Sequence, residues 1–282
     1  MPELPEVEYA RRRLQRAMAG ARIERVVVRR QKLRYALADN FAQRLEGQAV
    51  RAVQRRAKYL LLELSSGDRL LMHLGMSGSF RVTRSNRRDA STRRYYHDTS
   101  RVDTHDHVDF EMSNGATIVF NDPRRFGFMR LLTTDQHATH IALARLGPEP
   151  LADTFDAAAL AARLTRRRTT LKSALSDQRV VAGLGNIYVV EALHRARLSP
   201  KRLASTLVAR SGQPRPAVSD LVQAIRDVLT EAIRRQYRTG ADNPFRVYDR
   251  EGESCPRRGC PGTIRRITQG GRSTYYCPVC QR

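Results

Sequence analysis

Pro2, Glu3, Pro5 and Glu6 crowd the start of the chain as PELPE behind the initiating methionine. Pro2 is small enough for an aminopeptidase to remove Met1, which would leave a free secondary amine at the terminus. Such an amine, held beside two carboxylates, is a nucleophile with proton-transfer partners at hand. A free α-amine titrates at about 7.7–8.0, so a useful unprotonated fraction exists near neutrality. The same residues also suit the first turn of a helix, where Pro fits and Glu compensates the positive end. Residue types alone leave both readings open.

The four cysteines form a second constellation. They read C-x4-C at 255 and 260, then, sixteen residues on, C-x2-C at 277 and 280. Close thiolate pairs on two turns suit one tetrahedral Zn²⁺. Four thiolates leave no open position, so the ion is structural, and a tail this poor in apolar residues needs it to fold. Two disulfides are disfavoured because no secretion signal precedes the chain. Cys255, Cys260, Cys277 and Cys280 are the expected metal ligands.

Charge points to the partner. Lys and Arg number 51 against 28 Asp and Glu in 282 residues, a net +23, which predicts a polyanion, most simply nucleic acid. Only Lys32, Lys58, Lys172 and Lys201 are lysines. A compact ammonium can approach one phosphate oxygen closely, where the wide guanidinium fork cannot. Lys58, in QRRAKYLLLEL, could serve so, or could be a solvated strand end. In GLGN, Gly183 and Gly185 permit close backbone approach before a helix start, though Gly-x-Gly alone is weak.

These residues need elements to place them. Leu4, Val7, Leu14 and Met18 recur at helical spacing, and Gly20 ends the predicted helix of 3–19. From 22 to 132 short β-rich runs alternate with Gly and Asp, as in an antiparallel sandwich or barrel. Residues 85–106 carry no apolar period and read as a long basic loop. LGPEPL marks a linker, 156–236 reads as helical, and GTIRRITQGGRSTYYC reads as a hairpin turning at Gly270–Gly271. No apolar run of membrane length and no leader is present, so a soluble cytoplasmic monomer is expected.

PELPEVE (2–8), RRAKYLLLEL (55–64), HLGMSG (73–78), NDPRRFG (121–127), LGPEPL (146–151), VVAGLGNIYVVEAL (180–193) and the cysteine ribbon occur in this order. Together they resemble the formamidopyrimidine-DNA glycosylase family, bacterial base-excision repair enzymes that excise oxidised purines. The resemblance implies an α+β multidomain chain. Its parts would be an N-terminal helix plus antiparallel β-sandwich (1–132), a linker (133–150), a helix–two-turn–helix domain (151–240) and a four-cysteine zinc-finger β-hairpin (247–282).

It also implies a mechanism. Pro2 would attack the anomeric carbon of a damaged nucleotide and expel the base. A secondary amine then gives an iminium cation, an electron sink that drives β- and then δ-elimination at the abasic site. Glu3 would manage protons on sugar and base. Lys58, Asn186 and Arg272 would grip phosphate at the lesion, with Lys172 also on DNA, and Glu6, counted with the DNA-binding residues, would fix the first turn and the terminal amine. A flipped-out base leaves a gap in the duplex; Met76, Arg124 and Phe126 match the family's wedge, although Met76 and Phe126 taken singly fit a core. His73 lies in a motif but reads equally well as a packed strand residue. The partner is double-stranded DNA with oxidised bases or abasic sites, met in the bacterial cytoplasm at the nucleoid.

Three departures stand out: the C-x4-C pair in place of the usual C-x2-C, the long loop at 85–106, and the short QYRTGADNPFR segment at 236–246. Members that excise 8-oxoguanine commonly carry a longer glycine-rich loop at the last of these, so weak activity on 8-oxoguanine is expected. An endonuclease VIII-like enzyme for oxidised pyrimidines and a non-catalytic zinc-ribbon DNA-binding protein are the rival readings.

Overall fold

The computed structural model describes residues 2–84, 87–88, 103–235 and 243–282. Most of the basic loop expected at 85–106 and most of the short segment at 236–246 lie outside the described residues. The chain divides into two compact units, one ending at Ala144 and the other beginning at Arg145.

The first unit opens with α1 (Leu4–Met18), whose Leu4, Val7, Ala10, Leu14, Ala17 and Met18 face the core. Gly20, at φ +79°, ends it as expected. After β1 (Ile23–Val28) and the short α2 (Phe41–Leu45) come β2 (Val50–Arg56), β3 (Tyr59–Leu64), β4 (Arg69–His73), β5 (Ser79–Arg84) and β6 (Arg87–Arg88). Then follow β7 (Asp106–Met112), β8 (Ala116–Asn121) and β9 (Phe128–Leu132). All pair antiparallel, in the orders β1-β7-β8-β5-β6 and β2-β3-β4-β9.

One core joins α1 to both sheets: Leu60, Leu62, Leu70 and Met72 meet Phe80, Phe110, Ile118 and Phe120. Leu61 and Leu71 point to the opposite face, yet they too are buried. Two short helices, α3 (Thr134–Thr139) and α4 (Ile141–Ala144), account for this. Ala142 and Leu143 pack on that outer face, so part of the expected linker is a folded cover. The uninterrupted apolar run YLLLEL is the signature of a strand covered on both sides.

The second unit contains α5 (Ala157–Leu164), α6 (Leu171–Ser176), α7 (Asn186–Arg195), the twenty-residue α8 (Pro216–Arg235) and the hairpin β10 (Arg265–Gln269)–β11 (Arg272–Tyr276). Asp156 and Thr170 cap α5 and α6 by accepting the Ala159 and Ser173 amides. Gln269 pairs with Arg272 across Gly270 and Gly271, both at positive φ, the conformation a two-residue hairpin turn requires. The cysteine-bearing tail does not stand apart: Val190 of α7 packs with Val247, Cys255, Ile264 and Tyr275.

Candidate active site and nucleic-acid interface

Pro2 and Glu3 are buried at the positive end of α1, with Glu3 in the N-cap position. Glu6 Oε2 accepts the Glu3 amide at 2.8 Å, so Glu6 closes the first turn and is 8% exposed. That commitment makes it a support of the turn rather than a side chain presented to DNA.

Lys58 is positioned by a different route. It lies with Ala57 (φ +53°) in the two-residue turn joining β2 to β3. Glu8 of α1 accepts Arg55 Nε at 3.1 Å, and Arg55 Nη1 donates to the Ala57 carbonyl at 3.0 Å. Glu8 also accepts Arg11 Nη2 at 2.9 Å and Arg12 Nε at 2.9 Å. Burial opposes its ionisation, but the bonds from Arg11 and Arg12, with Arg55 nearby, hold its carboxyl below the usual range. Edge strand β2 is closed by the same helix, with Val53 N donating to Gln15 Oε1 at 2.6 Å. The helix that begins behind Pro2 and Glu3 and the turn that carries Lys58 are thus fastened together through Glu8 and Arg55, neither of which the motif reading singled out.

The loops carrying Met76, Arg124 and Phe126 are locked to each other. Ser77 Oγ donates to Asp122 Oδ1 at 2.5 Å and accepts the Arg124 amide at 3.1 Å, while Asp122 Oδ2 accepts the Gly127 amide at 2.7 Å. Gly75 sits at φ +63°, and a Cβ there would lie 2.3 Å from Gly127 N. Met76 and Phe126 are 39% and 42% exposed, so the core reading of these two fails. The Arg124 guanidinium lies over the Phe126 ring at 5.1 Å.

His73 is a packed residue. It stacks on Phe128 at 5.6 Å and its Nδ1 accepts the Gly75 amide at 3.0 Å. Burial, with the charges of Lys58 and Arg34, lowers its pKa to about 4, so at neutral pH it is an uncharged brace for the Gly75 turn.

In the second unit, the expected DNA residues gather around the hairpin tip. Gly185 caps α7, and Asn186 Nδ2 donates to the Ser273 carbonyl at 2.9 Å, beside exposed Arg272. Gln178 shapes the preceding turn, accepting Gly183 N at 2.9 Å and donating to the Leu184 carbonyl at 2.6 Å. Lys172 departs from expectation. It is 3% exposed and its ammonium reaches the Gln269 carbonyl at 3.4 Å, because α6 packs behind the hairpin and turns this lysine into a strut. Glu191, unremarked in the sequence, is buried and accepts the amides of Arg246, Val247 and Tyr248 at 2.8–2.9 Å. Burial raises its pKa and the three amides pull it back.

The four cysteine sulfurs lie within 4.8 Å of one another. Cys255 to Cys280 is 3.8 Å and Cys260 to Cys277 is 3.6 Å. A tetrahedron of Zn–S bonds of about 2.3 Å has edges near 3.8 Å, whereas a disulfide needs about 2.05 Å. The four thiolates fit one structural zinc ion. Burial pushes Cys255 up to about 12 when no metal is bound, so zinc must displace a firmly held proton there.

Comparison with known proteins now decides the lineage. Residues 1–129 match the formamidopyrimidine-DNA glycosylase N-terminal domain, 146–242 the H2TH domain of the same enzymes, and 252–282 the zinc finger found in FPG and IleRS. The chain belongs to the formamidopyrimidine-DNA glycosylase family. A formamidopyrimidine-DNA glycosylase of Rhodopseudomonas palustris strain BisB18 is 55% identical, and one of Afipia carboxidovorans 54%, each over 100% of both chains. The Lactococcus lactis formamidopyrimidine-DNA glycosylase bound non-covalently to abasic-site DNA matches at TM-score 0.84 and 30% identity, covering 100% of both chains. A MutM complex with DNA containing carbocyclic 8-oxo-G matches at 0.82 and 31%, also over 100% of both. The family assignment favours the glycosylase over both rival readings. Among the described residues no helix is long and apolar enough to cross a membrane.

Proposed function

We propose that this chain is a bifunctional base-excision repair enzyme that removes oxidised purines from double-stranded DNA and cleaves the abasic site left behind. It acts in the cytoplasm, at the nucleoid. With Met1 removed, Pro2 is the nucleophile. Its nitrogen forms the bond to the anomeric carbon as the C–N bond to the damaged base breaks and the base leaves protonated. Loss of the nitrogen's own proton and opening of the sugar give the iminium, which acidifies the adjacent sugar C–H. Removal of that proton expels the 3′ phosphate, and a second elimination expels the 5′ phosphate. Glu3, one residue away, exchanges these protons with sugar and base. Its position at a helix N-terminus disfavours the ammonium form of Pro2 and keeps the amine reactive. Lys58, Asn186 and Arg272 hold phosphates, while Met76, Phe126 and Arg124 occupy the gap left by the flipped nucleotide.

The observation that carries this reading is the Glu8–Arg55–Ala57 connection, which places the lysine turn against the helix that begins with Pro2 and Glu3. Borohydride trapping on an abasic duplex tests it. The mature enzyme is expected to give a covalent adduct. Pro2→Glu, which blocks methionine removal and supplies no secondary amine, is expected to lose trapping and nicking by about 10³-fold or more, the scale on which covalent catalysis is lost. Equal trapping by that variant overturns the assignment of Pro2.

The short segment at 236–246 supports a finer proposal: formamidopyrimidines and further-oxidised guanines are excised readily and 8-oxoguanine slowly. Duplexes carrying each lesion opposite cytosine distinguish the cases. Equal rates on formamidopyrimidine and 8-oxoguanine sink this preference and leave the glycosylase reading intact.

A further inference from the structure

The metal-binding tail has a protein neighbour that the four ligands do not account for. His194, in the last turn of α7, is fully buried, and its Nε2 lies 3.4 Å from Cys255 Sγ. Its Nδ1 is buried with no hydrogen-bond partner among the described residues. A neutral imidazole carries one N–H. Placed on Nδ1, that hydrogen would be a buried donor left unpaired. Placed on Nε2, it points at sulfur, and only an acceptor lone pair goes unmet, the cheaper of the two losses. The geometry therefore selects the Nε2–H tautomer.

The longer C-x4-C knuckle supplies a second attachment. Arg257, between Cys255 and Cys260, donates Nη2 to the His194 carbonyl at 2.6 Å and to the Arg195 carbonyl at 3.3 Å. These are end carbonyls of α7; that of His194 also accepts the Arg197 amide at 3.2 Å, so Arg257 adds a side-chain donor to the closing turn of the helix. Four thiolates around one Zn²⁺ carry two net negative charges, and Cys255 and Cys277 are the buried ligands. Charge of that kind away from water requires donors aimed at it.

We propose that His194 is a positioning residue of the zinc site: its Nε2–H donates to the Cys255 thiolate, and with Arg257 it fixes the C-x4-C knuckle to the end of α7. The two additional knuckle residues then serve a purpose, since they let Arg257 reach helix carbonyls while Cys255 and Cys260 still close the tetrahedron.

Zinc transfer from the full-length, zinc-loaded protein to excess 4-(2-pyridylazo)resorcinol tests this. His194→Phe keeps ring volume and removes the donor. His194→Gln keeps an N–H near the Nε2 position. Partners of metal ligands typically change affinity by about 10–100-fold, so His194→Phe is expected to release zinc about tenfold faster or more. His194→Gln should stay within about threefold of the parent, and Arg257→Met should fall between. In the cobalt-substituted protein, losing the N–H···S bond makes the sulfur a better electron donor. The thiolate-to-cobalt charge-transfer band is therefore expected at lower energy in His194→Phe and unmoved in His194→Gln. Parent-like release and spectrum in His194→Phe overturn the proposal. So does release from His194→Gln as fast as from His194→Phe, which would make ring packing the cause. Should His194→Phe fail to fold, the other two variants decide, and parent-like release from Arg257→Met together with rapid loss from His194→Gln refutes it.

Discussion

The first turn of α1 and the tip of the β10–β11 hairpin both present residues proposed to act on DNA, yet they are held by different forces. At the first, charge positions charge: Glu8 gathers Arg11, Arg12 and Arg55, and Arg55 passes the constraint to the Lys58 turn. At the second, side chains reach for backbone: Asn186 holds the Ser273 carbonyl, Lys172 the Gln269 carbonyl, and Glu191 three successive amides. Behind the hairpin stand four thiolates that fit one zinc ion. The α1 end should accordingly respond to pH and to charge-neutral substitution, and the hairpin end to chelation.

The largest effect should come from zinc removal. Structural zinc contributes about 10–16 kcal/mol to folding of such modules, so a chelator is expected to unfold the hairpin while the β-sandwich remains. Circular dichroism and differential scanning calorimetry would record the loss of one transition. A single transition, shifted as a whole, would show that the contrast between the two regions is false.

Next comes Glu191→Gln. It removes a buried carboxylate acceptor and turns an NH₂ toward amide donors, a loss of about 2–4 kcal/mol from bonds to a charged group. Urea unfolding of the second unit would measure it. Glu8→Gln should cost the first unit about 2 kcal/mol, because the Arg55 side chain is 11% exposed and would lose its bond to the Glu8 carboxylate. Its signature is pH-dependent. The folded-state pKa of Glu8 lies below its unfolded value near 4.5, so its contribution is present above pH 4.5 and disappears as pH falls through the lower value. The parent and Glu8→Gln stability curves should therefore converge in acid. Curves that stay parallel would remove the ion-pair account.

At neutral pH the smallest expected effect concerns His73, whose titration acts on stability only in acid. Its pKa falls from 6.5 to about 4 on folding, so stability declines as pH drops from about 6.5 toward 4, where the unfolded chain takes up a proton first. His73→Gln should flatten that part of the profile. A profile unchanged by the substitution would assign the slope to other groups.

Some of this was readable from residue order and some was not. The helix start, the antiparallel runs, the Gly270–Gly271 turn and the thiolate tetrahedron each depend on neighbours close in sequence, which spacing reveals. Glu8 does not: followed by Arg11, Arg12 and Arg13 it resembles a solvated helix face, and its decisive partner Arg55 is 47 positions away. His194 likewise meets Cys255 across 61 positions. Hydrophobicity assigned Met76 and Phe126 to a core, because nothing in a residue type records that glycine-built loops push it outward. Lys172 was misjudged in the opposite sense, its charge suggesting phosphate where α6 packing gives it a carbonyl. The segment at 133–150 looked like a linker because LGPEPL dominates it, while Ala142 and Leu143 were too few to announce a cover.

Gly75 carries a further consequence. It has no side chain to offer a reaction, yet a methyl group there would strike the Gly127 backbone. In a saturation library this position should look as intolerant as Glu3. Mutational sensitivity in this enzyme will thus report shape as strongly as chemistry, and a catalytic inventory drawn from such a screen would include a residue with no side chain to take part in a reaction.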